Sequence, residues 1–131
     1  MKIVIDTNFI MSAVKQKVNI INSLEELFGI YSLIVLSPVI KELKKITEDK
    51  DSKIIERNAA KLAKEILAKY NSLVVHSDKS NADSAILEYV KQYPETITAT
   101  LDRGLKQRIV KAVPNAKFLI IRGKNRIMLE E

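Results

Sequence analysis

The chain contains no cysteine and a single histidine, and only 5% of its 131 residues are aromatic. Without thiols it can form neither disulfides nor thiolate metal sites, which suits a reducing cytoplasm, the location expected for it. The lone histidine, His76, follows an apolar run and has no second imidazole with which to share a metal. So few rings argue against a sheet that recognises RNA by stacking bases, and Tyr31, Tyr70, Tyr89 and Tyr93 read as core edges. No apolar run approaches the roughly 18 residues of a membrane span, and no charged-then-apolar leader precedes the first one. A soluble protein with no membrane contact is expected.

What is present points to one packed domain covering residues 1–131, since 47% of the side chains are hydrophobic. The net charge is +6, unevenly spread. Residues 101–131 hold eight basic side chains and three acidic ones, which accounts for +5 of it. A basic block of this kind fits a polyanionic partner, although a solvated lysine-rich face would have the same composition.

Short apolar runs alternate with helical patterns. Strands are expected at Lys2–Ile5, Ser32–Leu36, Leu73–Val75, Thr96–Ala99 and Lys117–Ile121, with the tail pairing as a short edge. Helices are expected from Thr7 to Val14, Asn19 to Phe28, Ser37 to Ile46, Ser52 to Tyr70, Asn81 to Gln92 and Leu105 to Val113. Ser37 followed by Pro38 reads as a hydroxyl cap and a proline at the first helical position. Strands alternating with helices indicate an α/β fold with a parallel sheet.

Four carboxylates stand where strand-like runs give way to helices: Asp6, Glu42, Asp83 and Asp102. In an open parallel sheet those junctions share one edge, the usual place for a site. Helical spacing turns three of them inward. Glu42 lies three residues after Val39 and four before Ile46, Asp83 aligns with Ile86 and Val90, and Asp102 aligns with Leu105 and Ile109. Asp83 and Asp102 could each simply favour a helix N-terminus. Gathered at one edge, however, two carboxylates ~5 Å apart repel by roughly 3 kcal/mol at an effective dielectric of about 20. A divalent cation would offset that repulsion.

Four segments carry a family resemblance. They are Ile5-Asp6-Thr7-Asn8, the Glu42 stretch Pro38-Val39-Ile40-Lys41-Glu42-Leu43, Asn81-Ala82-Asp83, and Thr100-Leu101-Asp102-Arg103-Gly104-Leu105. In this order they resemble the acidic motifs of the PIN-domain nucleases, over nearly the whole chain. The ending, from Asp102 to Ile109 and from Ile120 to Lys124, resembles archaeal and eukaryotic PIN proteins of small-subunit ribosomal RNA processing more than the VapC toxins. Two departures stand out. Gly104 occupies a position that is often polar or acidic in the family, and no zinc motif or second domain is expected to supply RNA specificity.

The resemblance implies a three-layer α/β/α fold around a mainly parallel five-stranded sheet, PIN-like and therefore Rossmann-like. It implies a metal-dependent endoribonuclease in which Asp6, Glu42, Asp83 and Asp102 hold Mg2+ or Mn2+, and Thr100 and Asn8 orient a ligand or water. Arg103, Lys106, Arg108, Arg122 and Lys124 would contact RNA phosphates. Expected partners are a ribosomal RNA precursor, ribosome-assembly proteins and a second copy of the chain. A VapC-like toxin ribonuclease and a non-catalytic PIN-like scaffold for RNA or protein are the alternatives. An aspartyl-phosphate phosphatase would want aspartate where Asn8 stands, and a receiver domain would want lysine where Thr100 stands.

Overall fold

A computed structural model describes residues 1–70, 72–123 and 125–130. Among these residues the chain forms β1 (Lys2–Ile5), α1 (Thr7–Lys15), α2 (Ile20–Phe28), β2 (Ser32–Leu36), α3 (Ser37–Glu48) and α4 (Ile54–Lys69). Then follow β3 (Leu73–Val75), α5 (Ala82–Gln92), β4 (Ile97–Ala99), α6 (Arg103–Ala112), β5 (Lys117–Arg122) and β6 (Arg126–Leu129). The order across the sheet is β3-β2-β1-β4-β5-β6. The first five strands are parallel and β6 runs antiparallel to β5, with Ile121 opposite Ile127. The five-stranded sheet thus gains a sixth strand, because the tail pairs along β5 as the short edge expected of it.

Alternation along the central strands separates two cores. Ile3 and Ile5 of β1, Leu33 and Val35 of β2, and Ile97 and Ala99 of β4 face a large core with α1 to α4. Val4, Ile34, Leu36 and Phe118 face a smaller one with α5 and α6. The result is three layers, helices on both sides of a buried parallel sheet. Phe9, Ile10, Leu43, Ile86 and Ile109 are completely enclosed, each stabilising the fold by about 1.5–3 kcal/mol relative to exposure.

Helix ends follow local chemistry. Asn19 and Asn81 cap α2 and α5 by accepting the amides of Asn22 and Ser84 at 3.1 and 2.9 Å. Gly29 closes α2 with φ +67°, a conformation that costs glycine little. Ser37 departs from expectation: Leu36 occupies the cap position of α3 with no side-chain cap, and Ser37 lies inside the first turn. Its hydroxyl is used elsewhere. α3 also runs on through Thr47 and Glu48, shortening the expected loop, with the Thr47 hydroxyl donating to Lys44 O at 2.7 Å.

The chain turns away from β1 in both directions, to β2 on one side and β4 on the other. That reversal opens a crevice beyond the carboxyl ends of β1 and β4, where ligands of open α/β sheets bind.

Candidate active site

Asp6 follows β1 at the head of this crevice and is almost fully buried, 3% exposed. Its backbone extends the ladder, the amide donating to Ala99 O at 2.9 Å. Both side-chain oxygens are engaged. Thr7 N donates to Oδ1 at 2.8 Å, and the fully buried Thr100 hydroxyl donates to Oδ2 at 2.7 Å. Thr100 also accepts the amide of Asp102 at 3.1 Å, so one hydroxyl joins the ends of β1 and β4 to the start of α6. Asn8, exposed, steadies the same turn by accepting Leu101 N at 3.1 Å.

The other three acids surround Asp6 from different elements. Glu42 reaches across from α3 and accepts the amide of Ala82, the first residue of α5, at 3.0 Å. Asp83 follows in the first turn of α5. Asp102 caps α6, accepting Leu105 N at 3.1 Å, so the helix-terminus role open to it in the sequence is real and coexists with its place at the edge. Gly104 permits this arrangement, since a Cβ there would lie 3.2 Å from Asp102 Oδ1.

Electrostatics link the acids pairwise, Asp6 with Asp83 and Glu42, and Asp83 with Asp102 and Glu42. Burial pushes the Asp6 carboxyl up to about 6; its hydrogen bonds from Thr100 and Thr7 oppose this, and the charges of Asp83 and Glu42 add to it. Asp83 is also raised, first by burial, then by the charge of Asp102 and a hydrogen bond with it, and by Glu42, while Arg108 on α6 pulls it down. Anionic oxygens therefore accumulate at one spot at a cost to the fold.

A family model described as a PIN like domain matches residues 3–124. The chain belongs to that family. It is 34% identical over 125 residues to "Ribonuclease VapC4" of Methanocaldococcus jannaschii, covering 94% of this chain and 92% of that one. It also superposes on the structure of the PIN domain endonuclease Utp24 with a TM-score of 0.78 and 26% identity, covering 98% of this chain and 90% of that chain.

Donor chemistry at the edge of this PIN domain fits a hard divalent cation: four carboxylates, all oxygen, each raising or sharing the field of the next. As placed, however, no three Asp, Glu, His or Cys side chains among the described residues converge into a ready ligand cage. The reason is visible in their partners. Asp6, Glu42 and Asp102 each turn an oxygen toward a backbone amide, which satisfies helix-start donors and commits that oxygen away from a shared ligand. Beside them the Thr7 hydroxyl is buried with no hydrogen-bond partner among the described residues.

The basic residues divide. Arg103 opens α6 directly after Asp102, exposed; Arg108, also exposed, acts on Asp83; and Arg122 ends β5 at the same sheet edge. Lys106 is drawn away. Its ammonium pairs with Glu130 at 3.4 Å and lies 5.8 Å from the Phe118 ring, with 18% of the side chain exposed. Lys124 lies outside the described residues. Sequence reasoning missed the roles of Ser37, Ser77 and the Ala82 amide. Contacts between residues 40 apart leave no periodic trace in a sequence.

Proposed function

We propose that this PIN domain is a Mg2+- or Mn2+-dependent endoribonuclease, with Asp6, Glu42, Asp83 and Asp102 as the metal-holding residues. The observation that carries the reading is the meeting of buried Asp6 with Glu42, Asp83 and Asp102 at one sheet edge, where the charges of Asp83 and Glu42 act on Asp6 and that of Asp102 on Asp83, an arrangement that suits a cation. When bound, the metal would supply a water activated for in-line attack on phosphorus and stabilisation of the leaving oxygen. Thr100 keeps Asp6 and Asp102 in one geometry. Asn8 fixes the turn at Leu101 between them. Arg103, Arg108 and Arg122 draw the RNA backbone to the edge without reading its sequence.

With affinity but no base readout, specificity must come from whatever presents the RNA. The likeness of the late motifs to small-subunit ribosomal RNA-processing proteins favours a ribosomal RNA precursor held by assembly proteins. A toxin ribonuclease is the second reading, favoured by the 34% identity to a relative named VapC4. Purified protein should cut naked RNA weakly with Mg2+ or Mn2+ and not in EDTA, leaving 5′-phosphate and 3′-hydroxyl ends. A 2′,3′-cyclic phosphate product would rule out this hydrolysis.

A further inference from the structure

We propose that Ser37 is a positioning residue, which locks α3 to the segment before α5 and thereby sets Glu42 relative to Asp83. The proposal rests on the reading of the acidic edge given above.

Ser37 spends its hydroxyl on a single distant residue. It accepts the amide of Ser77 at 2.9 Å and donates toward the carbonyl of the same residue at 3.2 Å. Ser77 is buried, 9% exposed, and its own hydroxyl accepts Lys79 N at 3.2 Å, which bends the chain as it leaves β3. Five residues further along both segments a second link forms, Glu42 to the amide of Ala82 at 3.0 Å. The two links act as parallel rungs. One fixes where the 77–81 segment begins, the other where α5 begins, and Asp83 is the next residue.

Neighbouring strands set the stage for this. β2 and β3 end level, with Leu36 opposite Val75, so α3 and the 77–81 segment leave the sheet side by side. Between the rungs, residues 78–81 are exposed and belong to no helix or strand, and their path is held by the rungs, the Lys79 amide on Ser77, an exposed Lys79–Glu88 ion pair and the Asn81 cap. α3 starts without a side-chain cap because Leu36, which has no acceptor, holds the cap position, leaving the Ser37 hydroxyl in the first turn for Ser77. The hydroxyl that the sequence offers to the helix serves the acidic edge instead. Outer groups that orient ligands in this way typically hold 10–100-fold in metal affinity.

The test compares wild type, Ser37→Ala and Ser37→Thr, using Mn2+ as the probe. Calorimetric titration gives the affinity, and amide exchange in EDTA reads the Ala82 and Leu105 amides. Ser37→Ala should weaken Mn2+ binding roughly tenfold or more and speed exchange at Ala82 while leaving Leu105, on the α6 side, unchanged. Ser37→Thr keeps the hydroxyl at a half-buried position and should restore both values. A Ser37→Ala protein that melts earlier but keeps wild-type Mn2+ affinity and Ala82 protection would overturn the proposal, leaving Ser37 a merely structural residue. Failure of wild type to bind Mn2+ would overturn the metal reading itself, and this inference with it.

Discussion

The Thr100 hydroxyl donates to Asp6 Oδ2 at 2.7 Å while accepting the Asp102 amide, with no exposure to solvent. Two strand ends separated by 94 residues are thereby held by a single oxygen. Thr100→Val should remove both contacts without changing shape, leaving a buried carboxylate oxygen and a half-buried amide unpaired. We expect a stability loss of about 1–3 kcal/mol by denaturant unfolding and a drop of at least tenfold in Mn2+ affinity. Thr100→Ser should retain most of each. Equal Mn2+ binding by the valine variant would show that the hydroxyl does not orient Asp6 for a metal.

Asp6 gives a pH signature. Its folded carboxyl titrates near 6 against an ordinary value of 3.8, so the folded form holds its proton more tightly than the unfolded chain. Stability from this group is complete below about pH 4 and is lost as pH rises through 6. The difference corresponds to about 3 kcal/mol. Asp6→Asn has no such charge, so in EDTA it should exceed wild type in stability at pH 8 and approach it by pH 4. Nuclease activity should be abolished throughout. A variant that fails to fold at pH 8 would mark Asp6 as structural.

Metal binding should follow the same titration. Since Asp6 must lose its proton to serve as a ligand, Mn2+ affinity should climb between pH 5 and 7, with proton release measurable by titration in buffers of different ionisation enthalpy. A flat profile across that range would exclude Asp6 from the ligand set.

The basic residues separate phosphate contact from structure. Arg103→Ala with Arg108→Ala should weaken RNA binding and reduce its salt slope by about 0.7 per lost contact on single strands. Lys106→Ala should leave that slope unchanged, because its ammonium already pairs with Glu130, and should cost about 1 kcal/mol or less, as expected of a pair near the surface at 3.4 Å. A reduced slope for Lys106→Ala would mean that RNA displaces Glu130.

Expression distinguishes the two biological readings. A processing enzyme that depends on a presented substrate should be tolerated by a bacterial host. Growth arrest on induction, relieved by Asp6→Asn, would favour the toxin.

Much of this was legible in the chain. Apolar runs such as Ile3-Val4-Ile5 and Leu33-Ile34-Val35-Leu36 fit strands buried on both faces, and the strand-then-acid pattern placed Asp6, Glu42, Asp83 and Asp102 at one edge. Local chemistry misled at Ser37, where a good cap dipeptide lost its hydroxyl to a tertiary partner, Ser77. Lys106 shows the same limit. Its place in the late basic block suggested a phosphate contact, while the ion pair it makes depends on a tail strand whose register no local pattern specifies.

The four acids are also distributed through the layers. Asp6 belongs to the sheet, Glu42 to the helices over the large core, and Asp83 and Asp102 to the pair over the small one. A cation held among them would be a non-covalent cross-link through the whole thickness of the domain. Its removal should loosen both helical layers together, so chelation would lower amide protection in α3, α5 and α6 at once. Such a protein would be mechanically tightest when loaded for work.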